Sequence, residues 1–149
     1  MPGRLDQILH TTRQTLPALQ EKRDALEQDL RQARSTPPSF RSALRLPTVA
    51  VIAELKRRSP SAGSIREDLD PAHRAALYAQ HGAAALSVLT DGPFFGGSME
   101  DLRTAADNCS VPSLRKDFIL DEIQVLEARA AGASAVLLIV RVLGKSRLR

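Results

Sequence analysis

From residue 48 onward, short apolar runs alternate with segments that carry helix-capping residues, and this alternation limits the possible folds more than any other feature. The apolar runs are TVAVIAEL, AAALSVL, VPSLRK and SAVLLIV. The intervening helices have start signals at Asp70 with Pro71, at Ser98 with Asp101, and at Asp121. Strands separated by helices need right-handed crossovers and pair in parallel. The pattern therefore predicts repeated β-α units in an open α/β sheet or a closed barrel.

An internal repeat supports this interpretation. The segment GAAAL at 82–86 recurs as GASAV at 132–136, fifty positions later. That spacing corresponds to two β-α units of about 25 residues each. In both copies a glycine ends the preceding helix before the next apolar run begins.

The first 46 residues follow a different pattern. Residues 4–34 place leucine, isoleucine and alanine at helix-like intervals, which predicts an amphipathic helical arm. Pro17 is expected to kink or divide this arm, and STPPSF at 35–40 is expected to close it. We therefore expect a helical N-terminal extension at 1–46 and the β-α part at 47–149.

Charged residues stand at the ends of two predicted strands. Glu54 and Lys56 are two positions apart and share one face of the first strand, as Leu114 and Lys116 do on the third. In parallel α/β folds, chemistry gathers at the carboxyl ends of strands. One such charge alone is explained more simply as a solvated strand end. Charges at the ends of two strands instead favour a shared polar pocket, in which Glu54 holds Lys56. Both lysines are then available to phosphate or carboxylate groups.

Two neighbouring segments leave their interpretation open. SPSAGS at 59–64 offers hydroxyl and backbone N–H groups of the kind that bind anions, but it also fits an ordinary turn. Phe94 and Phe95 precede two glycines and either cover an apolar ligand or anchor a loop. His10, His73 and His81 lie on predicted helices without metal-ligand spacing, so surface or packing roles are expected and no metal site is predicted.

Charge and cysteine content limit partner and compartment. The net charge is +4, and the excess equals the four positive charges of the last nine residues, Arg141, Lys145, Arg147 and Arg149. The basic cluster at 56–58 has no interleaved aromatic residues, so nucleic-acid binding is not favoured. The single cysteine, Cys109, fits a reducing cytoplasm and is expected to be a small buried residue. The longest apolar run is too short for a membrane helix, and neither a membrane segment nor a signal core is predicted.

Four segments together resemble the indole-3-glycerol phosphate synthase family. They are IAELKRRSPSAG (52–63), GAAALSVLTDGPFFGGS (82–98), LRKDFILDEIQ (114–124) and GASAVLLIV (132–140). The resemblance runs from about residue 5 to 144 and includes the helical N-terminal extension of the family. It implies a (β/α)8 TIM barrel, of which this sequence holds the first four β-α units at 47–149.

The resemblance implies a decarboxylating lyase of tryptophan biosynthesis. It closes the ring of 1-(2-carboxyphenylamino)-1-deoxyribulose 5-phosphate with loss of carbon dioxide and water, and it requires no organic cofactor or metal. By position, Lys116 matches the general acid, Lys56 the lysine that binds the anionic groups of the substrate, and Glu54 the carboxylate that orients it. Ser59 matches a polar contact to substrate. The residues that match the apolar pocket around the anthranilate ring are Phe95, Leu114, Phe118 and Leu137.

The sequence departs from the family in length. A (β/α)8 barrel takes about 250 residues, and these 149 residues end after the fourth predicted strand. The later carboxylates, the asparagine and the glycine-rich phosphate site of the family have no counterpart here, so a truncated product is expected. One hypothesis is a synthase half that needs a complementary C-terminal half-barrel. The other is a noncatalytic half-barrel fragment that self-associates or has no function.

Overall fold

The computed structural model describes residues 3–33 and 36–148, which contain a four-stranded sheet and a two-stranded hairpin. In chain order the strands are β1 (Ile52–Leu55), β2 (Arg58–Ser59), β3 (Gly63–Ser64), β4 (Ala85–Leu89), β5 (Ser113–Lys116) and β6 (Ala135–Val136). The large sheet has the order β1-β4-β5-β6, and each neighbouring pair in it is parallel. The antiparallel hairpin joins β2 to β3. The predicted parallel α/β fold is confirmed.

Helices precede and connect these strands. They are α1 (Arg4–Gln20), α2 (Arg23–Gln32), α3 (Phe40–Ala43), α4 (Pro71–Gln80), α5 (Gly92–Phe95), α6 (Met99–Asp107), α7 (Glu122–Ala130) and α8 (Val140–Leu143), followed by a 3-10 helix at Lys145–Leu148. The three predicted N-caps are confirmed. Asp70 accepts from the backbone N–H of Ala72 at 2.9 Å, Ser98 accepts from that of Asp101 at 3.1 Å, and Asp121 accepts from that of Ile123 at 3.0 Å.

The hydrophobic core lies between the sheet and helices α4, α6 and α7. Leu55, Leu86 and Val88 point to this side of the sheet and are at most 3% exposed. Alanines on the helices, such as Ala75 and Ala105, are fully buried and let the helices approach the strands closely. Residues of the opposite parity point to the other face, where the proposed site residues lie.

The N-terminal arm packs outside the sheet, as predicted. Gln20 donates to Asp121 at 2.7 Å, and Arg23 forms an ion pair with Glu122 at 3.0 Å, so both helices of the arm contact the start of α7. Pro17 lies inside α1, and the arm divides later, between Gln20 and Arg23. Part of the predicted closing segment, Ser35, lies outside the described residues, as does Arg34 at the end of the predicted arm. The domain boundary at residue 46 stays a prediction.

The outermost strands are shorter than the apolar runs that predicted them. The run from Thr48 contributes only Ile52–Leu55 to β1, and the run from Ser134 contributes only Ala135–Val136 to β6 before α8 begins. In the described part of the chain, β1 and β6 are the edges of the sheet, and each pairs on one side only. Short edge strands are common in natural sheets, because they offer few unpaired backbone groups to other chains.

Candidate active site

A single carboxylate joins two lysines at the carboxyl ends of two strands. Glu54 Oε1 lies 2.8 Å from Lys56 Nζ, and Glu54 Oε2 lies 2.5 Å from Lys116 Nζ. The pairing of Glu54 with Lys56 was predicted from their shared face. The second pairing, with Lys116, joins residues 62 positions apart in sequence. We call Glu54, Lys56 and Lys116 the charged cluster.

The sheet register explains how these side chains meet. Glu54 is level with Ser87 of β4, and Ser87 is level with Leu114 of β5. Neighbouring strands are about 4.8 Å apart, so a side chain on β1 must reach across roughly 10 Å to a partner on β5. The small side chain of Ser87 leaves that space open, and the long side chains of Glu54 and Lys116 cover the distance.

The electrostatics of the charged cluster follow from this geometry. The side chains of Glu54, Lys56 and Lys116 are 29%, 31% and 39% exposed. Partial burial alone would raise the pKa of Glu54, but hydrogen bonds and charges from Lys116 and Lys56 outweigh it and hold that pKa below its usual value. Glu54 is therefore ionised at neutral pH, when the cluster has two positive charges and one negative. The excess positive charge suits an anionic ligand.

Two of the four predicted apolar residues lie next to each other. The rings of Phe95 and Phe118 have centroids 6.3 Å apart and are tilted by 37°. Leu114 shares a face of β5 with Lys116. Leu137 follows β6, and its N–H donates to the carbonyl of Arg115 at 3.1 Å. The structure thus brings Phe95 and Phe118 together, and their role towards a substrate stays a prediction.

Ser59 has a local role in this structure. It lies in β2, and its hydroxyl accepts from the N–H of Ala62 at 3.1 Å and lies 3.4 Å from the hydroxyl of Ser61. These are the contacts of a turn, the simpler of the two interpretations left open for this segment. Within residues 3–33 and 36–148, we find no hydrogen bond from Ser59 to the charged cluster.

The two arginines after Lys56 hold the loop that carries Phe95. Arg57 forms a two-pronged ion pair with Asp101, one contact of which is 3.0 Å long, and donates to the carbonyl of Leu69 at 2.9 Å. Arg58 donates to two backbone carbonyls in the first turn of α5, at 3.0 and 2.9 Å. The sequence suggested one basic cluster here, but each cation has its own partner. The Asp101 carboxylate therefore binds Arg57, while only the Asp101 backbone N–H takes part in the cap at Ser98.

Asp91 was missed by the sequence analysis. Its carboxylate caps α5 by accepting from the N–H groups of Phe94 and Phe95 at 2.7 and 3.1 Å. Burial raises the pKa of Asp91, and the nearby charge of Asp117 raises it further, in opposition to the backbone hydrogen bonds. The signal was present as aspartate, glycine and proline in succession, which is a capped helix start. Phe95 is thus held by a short helix that Asp91 begins.

Other candidate ligands lie elsewhere. His10, His73 and His81 are all exposed on or at the end of helices, as expected. Cys109 is half-buried, less than predicted, and burial raises the pKa of its thiol. The described residues contain no group of three histidine, cysteine or acidic side chains arranged to hold a metal ion. In the same ranges, we find no helix with the length and hydrophobicity needed to cross a lipid bilayer.

Comparison with known proteins identifies the family. The protein-family model described as indole-3-glycerol phosphate synthase matches residues 5–149. The chain is 49% identical to the indole-3-glycerol phosphate synthase of Koribacter versatilis, over all of this chain and 58% of that protein. It is 54% identical to the enzyme of the same name from Leptospira interrogans, over 74% of this chain and 44% of that protein. The chain thus spans about half the length of these curated relatives. With its parallel sheet and the match over nearly its whole length, the chain belongs to the indole-3-glycerol phosphate synthase family, whose fold is the TIM barrel.

Proposed function

We propose that this chain supplies the amino-terminal part of an indole-3-glycerol phosphate synthase active site. The reaction would close the ring of 1-(2-carboxyphenylamino)-1-deoxyribulose 5-phosphate and release carbon dioxide and water. The observation that carries the proposal is the charged cluster, in which Glu54 holds Lys56 and Lys116 at the carboxyl ends of two barrel strands. Active sites of such barrels lie at this end of the strands.

The charges of the cluster suit the proposed division of roles. Lys116 would be the general acid that protonates the substrate oxygen lost as water. Lys56 would bind the anionic groups of the substrate, and Glu54 would orient both ammonium groups. Each ammonium has three N–H donors and gives one hydrogen bond to Glu54, so donors are left for a substrate. A positioned general acid typically contributes a factor of about 10² to 10⁴ in rate.

The aromatic ring of the substrate needs an apolar pocket. We assign this role to Phe95 and Phe118, whose rings are near each other, together with Leu114 and Leu137. Leu114 lies two residues before Lys116 on the same face of β5. This arrangement would place the aromatic ring of the substrate beside the general acid. Ser59 would contact substrate only if its hydroxyl turned away from Ala62.

The partner of the sheet follows from its two open edges. Val51 beside β1 is 55% exposed, and Leu138 and Val140 beyond β6 are 43% and 64% exposed. A TIM barrel has eight strands, and about half the length of the relatives lies outside this match. We propose that a complementary C-terminal half-barrel covers these edges and completes the site.

The cytoplasmic location suggested by the single cysteine stays a prediction.

Formation of indole-3-glycerol phosphate tests these assignments. We expect negligible turnover from the 149-residue polypeptide alone, and turnover when the C-terminal half of a related synthase is co-expressed with it. In that assembly Lys116→Met should lower the rate by about 10² to 10⁴. Lys22→Met is the matched control, because Lys22 is exposed at the start of α2 and should leave the rate unchanged.

Three results would count against the proposal. Turnover by the polypeptide on its own would contradict the need for a complementary half. A normal rate with Lys116→Met would contradict the role of Lys116. A well-folded assembly without any turnover would favour the alternative, a noncatalytic half-barrel.

A further inference from the structure

A buried ion network lies on the face of β5 opposite Lys116. Arg115 is 4% exposed. Its guanidinium forms ion pairs with Asp117 at 2.9 Å and with Glu127 of α7 at 2.8 Å. It also donates to the carbonyl of Gln124 at 2.8 Å and to the hydroxyl of Thr90, after β4, at 3.2 Å. One side chain therefore ties the end of β5 to both β4 and α7.

The same network holds the backbone on either side of Asp117. The N–H of Thr90 donates to the carbonyl of Lys116 at 3.2 Å, while the Thr90 hydroxyl donates to Asp117 at 2.6 Å. The N–H of Phe118 donates to Asp117 at 2.8 Å, and the carbonyl of Phe118 accepts from the side chain of Gln124 at 3.1 Å. Lys116 and Phe118, the two proposed site residues of this segment, are each fixed at the main chain.

Stability alone does not explain this arrangement. Removing one arginine and two carboxylates from water has a large desolvation cost, and apolar side chains of similar volume often give equal or greater stability at such positions. Charged, directional contacts of 2.8 to 2.9 Å instead fix the position of the attached backbone. Reacting groups need such placement, because a displacement of about 1 Å can lower a rate about 10²-fold.

We propose that Arg115, acting through Asp117 and Glu127, is a positioning residue that sets the place of the Lys116 ammonium and the Phe118 ring relative to Glu54. The inference rests on the proposed function, in which Lys116 donates a proton. Arg115 itself points away from that face and contacts neither Lys116 nor Glu54 through its side chain. Its effect reaches the site through the backbone of residues 115–118.

Kinetics of the assembled barrel give the first test. A single Arg115→Met leaves two carboxylates buried without their cation, so the triple variant Arg115→Met, Asp117→Asn, Glu127→Gln removes all three charges together. We expect kcat to fall about 10- to 100-fold because Lys116 is displaced, and KM to rise by a smaller factor, because Phe118 also moves while Lys56 on β1 stays in place. The control is Arg23→Met, which removes another ion pair to α7 without touching β5. An unchanged kcat in a folded triple variant would overturn the proposal.

Titration of Glu54 in the 149-residue polypeptide gives a second test that needs no turnover. Carboxyl ¹³C NMR reports the pKa of Glu54, which its contact with Lys116 helps to hold low. If Lys116 moves in the triple variant, the pKa of Glu54 should rise towards its usual value, whereas Arg23→Met should leave it unchanged. Arg115→Lys keeps the buried charge but loses the two-pronged geometry of the guanidinium group. It should therefore also raise the pKa of Glu54.

The kinetic and titration tests distinguish failure of the positioning role of Arg115 from failure of the proposed function. If the triple variant and Arg115→Lys, whichever of them folds, titrate like the unmodified chain at Glu54, the positioning role is wrong even when the assembled barrel is active. If the unmodified assembly is inactive but the Glu54 pKa shifts as expected, the positioning role is supported and the proposed function is the part that fails.

Discussion

At the residue scale, the charged cluster depends on one carboxylate that accepts from two ammonium groups. Glu54 is only 29% exposed, so solvent screens its charge less than that of a surface residue. Each of its two carboxylate oxygens contacts the ammonium group of one lysine. Removing its charge would leave Lys56 and Lys116 facing each other without compensation. The cluster is therefore expected to be sensitive to the protonation of Glu54.

Glu54→Gln should destabilise the chain at pH 7 by about 1 to 3 kcal/mol, because hydrogen bonds to a charged group are lost. The pKa of Glu54 in the folded state lies below its usual value of 4.5. Its stabilisation is thus present above that value and is lost as the pH falls through the lower folded pKa. Urea unfolding at several pH values should show the difference between the two proteins shrinking below about pH 4.5. A difference that is constant with pH would contradict the charge-based explanation.

Asp91→Asn is the control, because its effect on stability should change with pH in the direction opposite to that of Glu54→Gln. Burial raises the pKa of Asp91 above its usual value of 3.8. The stability that the protonated carboxyl contributes is therefore present at low pH and is lost as the pH rises through the folded pKa. Asparagine is also a good N-cap, so the start of α5 is preserved. The variant should be as stable as the unmodified chain at low pH and equally or more stable at pH 7.

At the element scale, the loop that follows α5 packs closely against the end of β4. A β-carbon added at Gly97 would overlap the carbonyl group of Leu89 and lie 3.0 Å from the N–H nitrogen of Thr90. The backbone itself is the obstacle, so rotation of a side chain could not relieve the overlap. Glycine at this position allows the loop to approach the strand closely.

Gly97→Ala should therefore destabilise the chain by about 1 to 3 kcal/mol or more, as overpacking does. It should also displace α5. Thermal or urea unfolding measures the loss, and the NMR signals of the Phe95 ring report the displacement. Gly92→Ala is the matched control, because the added carbon would meet its nearest atom, the Gly97 carbonyl oxygen, at an ordinary 3.4 Å. Equal stability of the two variants would show that the close approach at Gly97 is not limiting.

At the scale of the whole molecule, the four strands form a sheet with two free edges in the part of the chain that the structure describes. Apolar side chains are exposed beside both of them, including Val51, Leu138 and Val140. Unprotected edges with apolar side chains are templates for association. The edges that would take a complementary half-barrel are therefore available to other copies of the chain when that half is absent.

We expect the 149-residue polypeptide to form dimers or larger species. The double variant Val51→Lys, Val140→Lys places a charge beside each edge and should lower the mass towards that of the monomer. Ile65→Lys is the control, because Ile65 is 51% exposed but lies next to the β2-β3 hairpin. Multi-angle light scattering measures the masses. A monomer at high concentration of the unmodified chain would contradict this expectation.

The sequence by itself determined the order and parallel class of the elements, the helix starts at Asp70, Ser98 and Asp121, and the gathering of Glu54 and Lys56 on one strand end. These features depend on neighbouring residues, and helix caps and strand alternation act within a few positions of the chain. They were therefore visible without any tertiary structure.

Tertiary structure decided which partners the charged side chains take. The contacts of Glu54 with Lys116, of Arg57 with Asp101 and of Arg115 with Glu127 join residues 62, 44 and 12 positions apart. They exist because strand register and helix placement bring these side chains within reach. Such choices depend on distances across the fold, and local sequence patterns contain no measure of those distances.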